Sequence, residues 1–552
     1  MHYTRREFLT TAASAAGAAM LPLGSTLAAA AGGPGPAKAA RWHRYDVTSP
    51  QGQKMLASYA RGVQAMLKLP PSDPRNWFRN AFVHFLDCPH GNWWFYVWHR
   101  GYIGYFERTI RELSGDPEFA LPYWDWTRLP EIPPGMFDGV LTPTDASYAT
   151  YTGNLKRFTD FIQPPMKAYW GKLSDMQRTQ LLARGYENFD NVWNDVTGYS
   201  TTQKTGISGN MSYAITCGAR YLSRDNPKLD PKTAHNVSPS VIASGLEPRL
   251  FHDEKISASF TSSRTVSHLM QPDGTTQFSM LEGLPHNKVH NYIGGVGAVD
   301  PGPYGNMTNF LSPVDPIFFL HHANMDRLWD VWTRKQLALG LPIMPTEGEA
   351  RDAFMGEPFL FFVDADGTPV GPSKAERYFD TASFDYDYGP GGFAGPQPKR
   401  RAASGKYGAV SARIEDDEAE LSLPAALVQG HMADALPAPL VAEITLDRPE
   451  GVGGAREFDV LVNAPDGVDR VDADSPYYGG TVAFFGSSMP NMKMSHTATF
   501  AVPLGKKLRV FTNALSEGAK AGAELKIRLV TSSGTQAPEA APVRAAVVAP
   551  GT

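Results

Sequence analysis

Apolar residues recur at helical spacing in four separated stretches and at strand spacing only towards the C-terminal end of the chain. Asn76–Leu86 reads as a helix that carries His84 near its end. From His99 to Leu113, residues Ile103, Phe106, Ile110 and Leu113 fall one turn apart, which predicts a second helix. His286 and His290 stand four residues apart, so they share one face of a third. Pro316 suits the first turn of a fourth, running through Leu328 and Trp332. Four helices with polar side chains turned inward form a bundle around a site. Between about 130 and 280 no period dominates, which predicts long loops with short helices.

From about Leu440 the text changes to short alternating runs: Glu457–Val462, Thr481–Phe485, Lys507–Phe511 and Glu524–Val530. These predict the strands of a small β-sandwich over 440–535. All 11 tryptophans precede residue 333, which sets the functional core at 41–390. Residues 391–439 read as a linker open to proteolysis: Gly/Pro-rich at first, then Lys399-Arg400-Arg401, then the acidic run Glu415–Glu420. The Ala/Pro-rich end, 536–552, is expected to be disordered. The fold class is therefore mainly α, with a four-helix bundle, long loops and a C-terminal β-sandwich.

The bulk numbers narrow the function. The chain has 552 residues, 42% hydrophobic and 19% charged, as in ordinary globular proteins. A net charge of −5 offers no basic field for nucleic acid. With two cysteines, Cys88 and Cys217, there is no disulfide scaffold, though one bridge between them stays open. Residues 1–31 read as a Tat signal peptide: Arg5-Arg6 precedes a weak apolar stretch and Leu27-Ala28-Ala29-Ala30. The stretch is broken by Gly17, Pro22 and Gly24, so no retained membrane helix is expected. The expected location is periplasmic or secreted.

Six of the 14 histidines carry the chemistry. His84, His90 and His99 form one set, and His286, His290 and His322 the other. Three neutral imidazoles per metal, with no carboxylate or thiolate among them, suit copper. His321 adjoins His322, and neighbours on a helix point about a hundred degrees apart, so His321 is expected to support the site rather than bind. Asp326, one turn beyond His322, is expected to accept that ring's free N–H.

These motifs resemble the type-3 copper proteins: tyrosinases, catechol oxidases and hemocyanins. His90, Phe95, Trp98, His99, Arg100 and Glu107 match the family's first pattern. Asp315, Pro316, Phe318, His322 and Asp326 match the second, and Pro122-Tyr-Trp-Asp-Trp126 resembles the segment that follows the first copper site. The resemblance spans about Arg41 to Tyr388. It implies two copper ions, CuA on His84, His90 and His99 and CuB on His286, His290 and His322, with O2 as co-substrate. It also implies a thioether between Cys88 and His90, against a plain buried thiol. Glu282 and Asn287 are implied to hold a water that takes a monophenol's proton. The bland alternative for Glu282 is a charge at a helix N-terminus. Phe318 and Asn291 are expected beside the ligands. Arg327 and Glu107 belong either to the site or to ion pairs that stabilise the fold, and Tyr386 and Tyr388 resemble the motif that closes the family's core.

The activity implied is ortho-hydroxylation of monophenols and oxidation of o-diphenols to o-quinones. A catechol or o-aminophenol oxidase, or a hemocyanin-like O2 carrier, are the alternatives. The C-terminal region resembles the lid of latent relatives, with Phe484, Phe485 or Tyr478 as plug and Met307 or Phe310 as gate; a module needed only for folding is the other reading. Met489, Met492, Met494 and His496 offer soft ligands for copper loading, or else a loop packed on the core. Small phenols, a copper chaperone and an activating protease are the expected partners, with no nucleic acid and no membrane.

Overall fold

The computed structural model describes residues 40–197, 220–299, 304–346, 348–371, 373–389, 391–393, 408–434, 436, 439–449, 455–486, 489, 491–516, 522–532 and 539–550. Arg41–Thr552 forms one compact unit. The expected signal peptide, Cys217 and Lys399–Arg401 lie outside the described residues. No described helix is long and apolar enough to cross a membrane.

The helical part is built on α1 (Pro50–Lys68), α2 (Trp77–Asp87) and α3 (Phe95–Ser114), with α6 (Asn287–Gly294) and α7 (Ile317–Leu339) completing it. Asn76 caps α2 by accepting from the N–H groups of Phe78 and Arg79. Asp315 starts α7: its Oδ1 accepts from Ile317 N at 3.0 Å, while its carboxylate is held by Arg220. Between α3 and α6 lie short helices, including α4 (Asp175–Arg184) and α5 (Phe189–Thr197). The longest described helix in that interval, Leu155–Gly171, was not apparent from the pattern, because Pro164 and Pro165 interrupt it.

One buried ion-pair cluster ties the core together. Asp326 accepts from Arg100 Nε at 2.6 Å, from Arg44 Nη1 at 3.2 Å, and from the hydroxyls of Tyr386 and Tyr388. Glu107 pairs with Arg44 and Arg111, and Arg327 with Asp125. Strand β1 (Trp42–Arg44) pairs in parallel with β3 (Tyr386–Tyr388), so the two ends of the core meet over this cluster.

The C-terminal part is a two-sheet β-sandwich. One sheet runs β2 (Thr275–Phe278), β10 (Thr497–Leu504), β7 (Leu440–Asp447), β13 (Val543–Pro550) and β4 (Val410–Ser411). The other runs β5 (Arg413–Glu415), β6 (Glu418–Leu423), β11 (Ala523–Thr531), β8 (Glu457–Val462) and β9 (Tyr478–Ala483), with β12 (Ala540–Ala541) alongside β11.

Four expectations change here. The acidic run Glu415–Glu420, read as linker, is a hairpin: Asp416 and Asp417 take positive φ at its turn. Residues 410–433 thus supply three strands and a helix, α8 (Ala425–Ala433). The tail expected to be disordered pairs along β7 as β13, because Val543, Ala546 and Val548 turn into the sandwich core. Lys507–Phe511, read as a strand, leads into helix α9 (Arg509–Ser516). Finally, β2 comes from the core segment, yet it adds to the C-terminal sheet beside β10.

Candidate metal centre

Each histidine is placed by a local cause. His84 sits on the last turn of α2, whose C-cap is Cys88. His90 follows in the loop, and Gly91 takes φ +68 to turn the chain back towards α3, which carries His99. Pro285 lacks the N–H an α-turn needs, and Glu282–His286 widens into a π-turn before α6. His286 and His290 then flank the first turn of α6, and His322 projects from α7. Leu284, inside the π-turn, packs into the apolar core of the sandwich.

The rings converge. His84 and His99 approach to 3.4 Å between their Nε2 atoms, and His290 and His322 to 3.1 Å. His99 stacks on His322 at 4.3 Å, which joins the two sets. Burial lowers the pKa of every member, to about 3 for His84 and His286. All six rings are therefore neutral near pH 7.

The tautomers of four are also fixed. A carbonyl only accepts, so Nδ1–H donates from His84 to Phe310 O, from His99 to Phe95 O and from His290 to Met307 O, each at 2.7 Å. This leaves Nε2 as a bare lone pair on each. Two such lone pairs face each other between His84 and His99, an arrangement that repels unless a cation lies nearby. His286 Nδ1 donates to Asn287 Oδ1 at 2.9 Å, and the buried Nε2 atoms of His90 and His286 have no partner. The donor set fits a pair of borderline-soft cations, and among these copper.

Several expected residues fall where they can act. Cys88 Sγ lies 3.4 Å from His90 Nδ1, and Arg184 donates to the Cys88 carbonyl at 2.8 Å. Burial pushes the Cys88 thiol up to about 12. Glu282 is fully buried and accepts from Gly91 N at 2.6 Å and Ser262 Oγ at 2.5 Å; burial raises it to about 8. Phe318 packs on His322 at 4.1 Å. Met307 and Phe310 serve through their carbonyls, and the Phe310 ring also borders His90 at 5.1 Å.

His321 lies near His286, His290 and His322, and the four could share one ion. Its Nδ1, however, accepts from the Trp126 indole N–H at 3.0 Å, so the proton sits on Nε2 and blocks that lone pair.

The expected bond between Asp326 and His322 does not form. Asp326 spends its oxygens on Arg44, Arg100 and two tyrosines, and His322 Nδ1 has no partner. Of the three plug candidates only Phe485 reaches the site: its ring lies 4.4 Å from His290, 4.9 Å from His90 and 5.2 Å from Phe310. Phe484 packs within the sandwich against Phe500, and the Tyr478 hydroxyl meets Thr481. Met489 and Met492 are buried against the helical core, Met494 is half-buried and His496 is exposed. Sequence reading missed Ser262, Arg184 and the Trp126–His321 bond, since each acts across more than a hundred described positions or without a motif of its own. It also missed a buried His268, held by Asp87 at 2.9 Å and Glu357 at 2.6 Å.

Six imidazoles converge in two sets, one carried by α2, α3 and the loop between them, the other by the π-turn, α6 and α7, an arrangement that could hold metal. The model of the common central domain of tyrosinase matches residues 38–335, and the chain belongs to the tyrosinase and polyphenol oxidase family. That family implies a binuclear copper centre. Among relatives, the chloroplastic polyphenol oxidase of Spinacia oleracea is 25% identical over 359 residues, covering 61% of this chain and 45% of that protein. The chloroplastic (+)-larreatricin hydroxylase of Larrea tridentata is 26% identical over 299 residues, covering 50% of this chain and 38% of that protein. The chain thus spans under half the length of these relatives. A solved structure of recombinant latent aurone synthase, a polyphenol oxidase, aligns over 93% of this chain and 90% of that one, with TM-score 0.50 and 18% identity, a likeness of fold.

Proposed function

We propose that this chain oxidises phenols with O2, hydroxylating monophenols at the ortho position and converting o-diphenols to o-quinones, and that it is latent while residues 483–485 cover the site. The observation that carries the reading is the Phe485 ring, the size of a phenol, seated among His90, His286 and His290. His84, His90 and His99 would hold one copper, and His286, His290 and His322 the other. Copper bound there supplies the electron exchange with O2; the protein supplies neutral ligands, a dry pocket and aim.

Glu282, joined to the His90 loop through Gly91 N–H, is the candidate to hold the water that takes the phenol's proton. Asn287 would help once its amide is released from Ala483 O, which it now contacts at 2.7 Å. Cys88, cross-linked to His90, would fix that imidazole's orientation. One observation favours a second reading, oxidation of catechols or o-aminophenols without hydroxylation. Both Glu282 oxygens are engaged by protein donors, and burial favours its neutral form.

Oxygen uptake by the copper-loaded full chain decides between them, with tyrosine, 4-tert-butylcatechol and 2-aminophenol, before and after limited proteolysis. Quinone from tyrosine supports the first reading. Turnover of catechol or aminophenol alone selects the second. Reversible O2 binding without turnover refutes both. Export by the Tat route to the periplasm or beyond follows from Arg5-Arg6. A chain with Lys at both positions that still leaves the cytoplasm would overturn that point.

A further inference from the structure

The covering segment is held by one stripe of α6. Asn287 Nδ2 donates to Ala483 O at 2.7 Å, and Asn291 Nδ2 to Phe484 O at 3.1 Å. Asn291 also reaches Glu457 Oε1 at 3.2 Å, and Lys288 Nζ meets Glu457 Oε2 at 2.5 Å. Lys288 and Glu457 are both almost fully buried. Gly297 adjoins them: a Cβ there would stand 3.2 Å from Glu457 Oε2 and 3.8 Å from Lys288 Nζ, so its missing side chain leaves room for the pair. The covering part therefore presents two chemical groups at once, an aromatic ring to the histidines and a carboxylate to Lys288. One Asn291 amide touches both the Phe484 carbonyl and the Glu457 carboxylate, and Glu457 pairs across β8 and β9 with Ala483, two residues before Phe485.

A buried ion pair gives little net stability over well-packed apolar groups. What it imposes is selectivity: Asp230 and Asp459 also act on the Lys288 ammonium, but its hydrogen bond goes to Glu457, and a neutral group there forfeits that charged bond. We infer that Lys288, assisted by Asn291, is a carboxylate-binding subsite of the phenol site, and that Phe485 with Glu457 occupies the place of a phenol bearing a carboxylate on a short side chain. The preferred substrates of the opened enzyme are then anionic phenols. This rests on the phenol-oxidising reading above.

The test uses the full chain. In Glu457→Ala the melting temperature falls, and propionate restores part of it while propionamide at matched ionic strength does not. Adding Lys288→Met abolishes the rescue. In copper-loaded Glu457→Ala/Phe485→Ala, 3-(4-hydroxyphenyl)propionate binds at least about tenfold more tightly than its amide, the scale of a hydrogen bond to a charge. Lys288→Met brings that ratio to about one. If Glu457→Ala does not fold, Glu457→Ser, which also vacates the place of the carboxylate, replaces it in both arms. Equal binding of acid and amide, with no propionate rescue, overturns the subsite and leaves phenol oxidation standing. Failure of the copper-loaded protein to bind or oxidise any phenol removes the phenol reading and the subsite with it.

Discussion

Replacing Phe485 by Ala in the full chain separates covering of the site from attachment of the sandwich. The ring is 5% exposed and contacts His90, His286, His290 and Phe310. Removing a buried phenyl costs about 3–5 kcal/mol. Those contacts exist only while the segment is docked, so the loss falls on docking rather than on the helical core. At about 1.4 kcal/mol per tenfold, a loss of about 3 kcal/mol raises the uncovered population roughly a hundredfold. The bonds of Asn287, Asn291 and Lys288 remain, and the chain stays folded. The assay is catechol oxidation by copper-loaded protein without protease, with Phe484→Ala as control. Phe484 packs on Phe458 and Phe500 inside the sandwich, so its loss lowers stability and leaves the site covered. Oxidation as slow in Phe485→Ala as in the parent, rising only after cleavage, would refute the assignment of Phe485 as the block.

Three further outcomes are expected. Asp326→Asn strips the shared anion from Arg44 and Arg100 and lowers unfolding free energy by about 3–5 kcal/mol; a denaturant midpoint within error of the parent would refute this. His268 is fully buried; burial alone would lower its pKa, yet Asp87 and Glu357 hold it up at about 9, above the usual 6.5. Its charged form is favoured by folding, so its contribution is complete below about pH 6.5 and is lost as pH rises through about 9, on the order of 3 kcal/mol. Stability measured from pH 6 to 10 should fall in the parent and stay flatter in His268→Gln. The third concerns Cys88 and His90, 3.4 Å apart at Sγ and Nδ1. The copper-loaded, oxygen-exposed protein should give a peptide lighter by the two hydrogens lost on forming the C–S bond; an unmodified mass refutes the cross-link.

The helices that carry ligands were legible because their signals are local. Four-residue spacing put His286 and His290 on one face, and the apolar repeat after His99 has a helix's period. The sandwich was legible in part for the same reason: alternation along Glu457–Val462 and Glu524–Val530 survives as β8 and β11. The hairpin over Glu415–Glu420 was not, because its charged residues lie on the exposed edge strand β5, at the turn, and at the half-buried positions of β6, where composition looks like a linker. Likewise, β13 was hidden by alanine, which packs beside β7 without a hydrophobic period. At the site, residue types suggested partners that topology then reassigned. Asp326 lies one turn from His322, but two arginines brought in from β1 and α3 claim it first. The plug could be narrowed to three aromatics but not chosen, since which face of the β9 end turns towards α6 depends on Asn287 and Asn291 gripping its backbone.

The central claim is that these six histidines hold two copper ions. Metal analysis of the full chain reconstituted with copper, alongside His84→Ala and His322→Ala, tests it most directly. The account gives two coppers per chain in the parent and a loss confined to one site in each variant. One copper per chain, or an unchanged content in both variants, would contradict it.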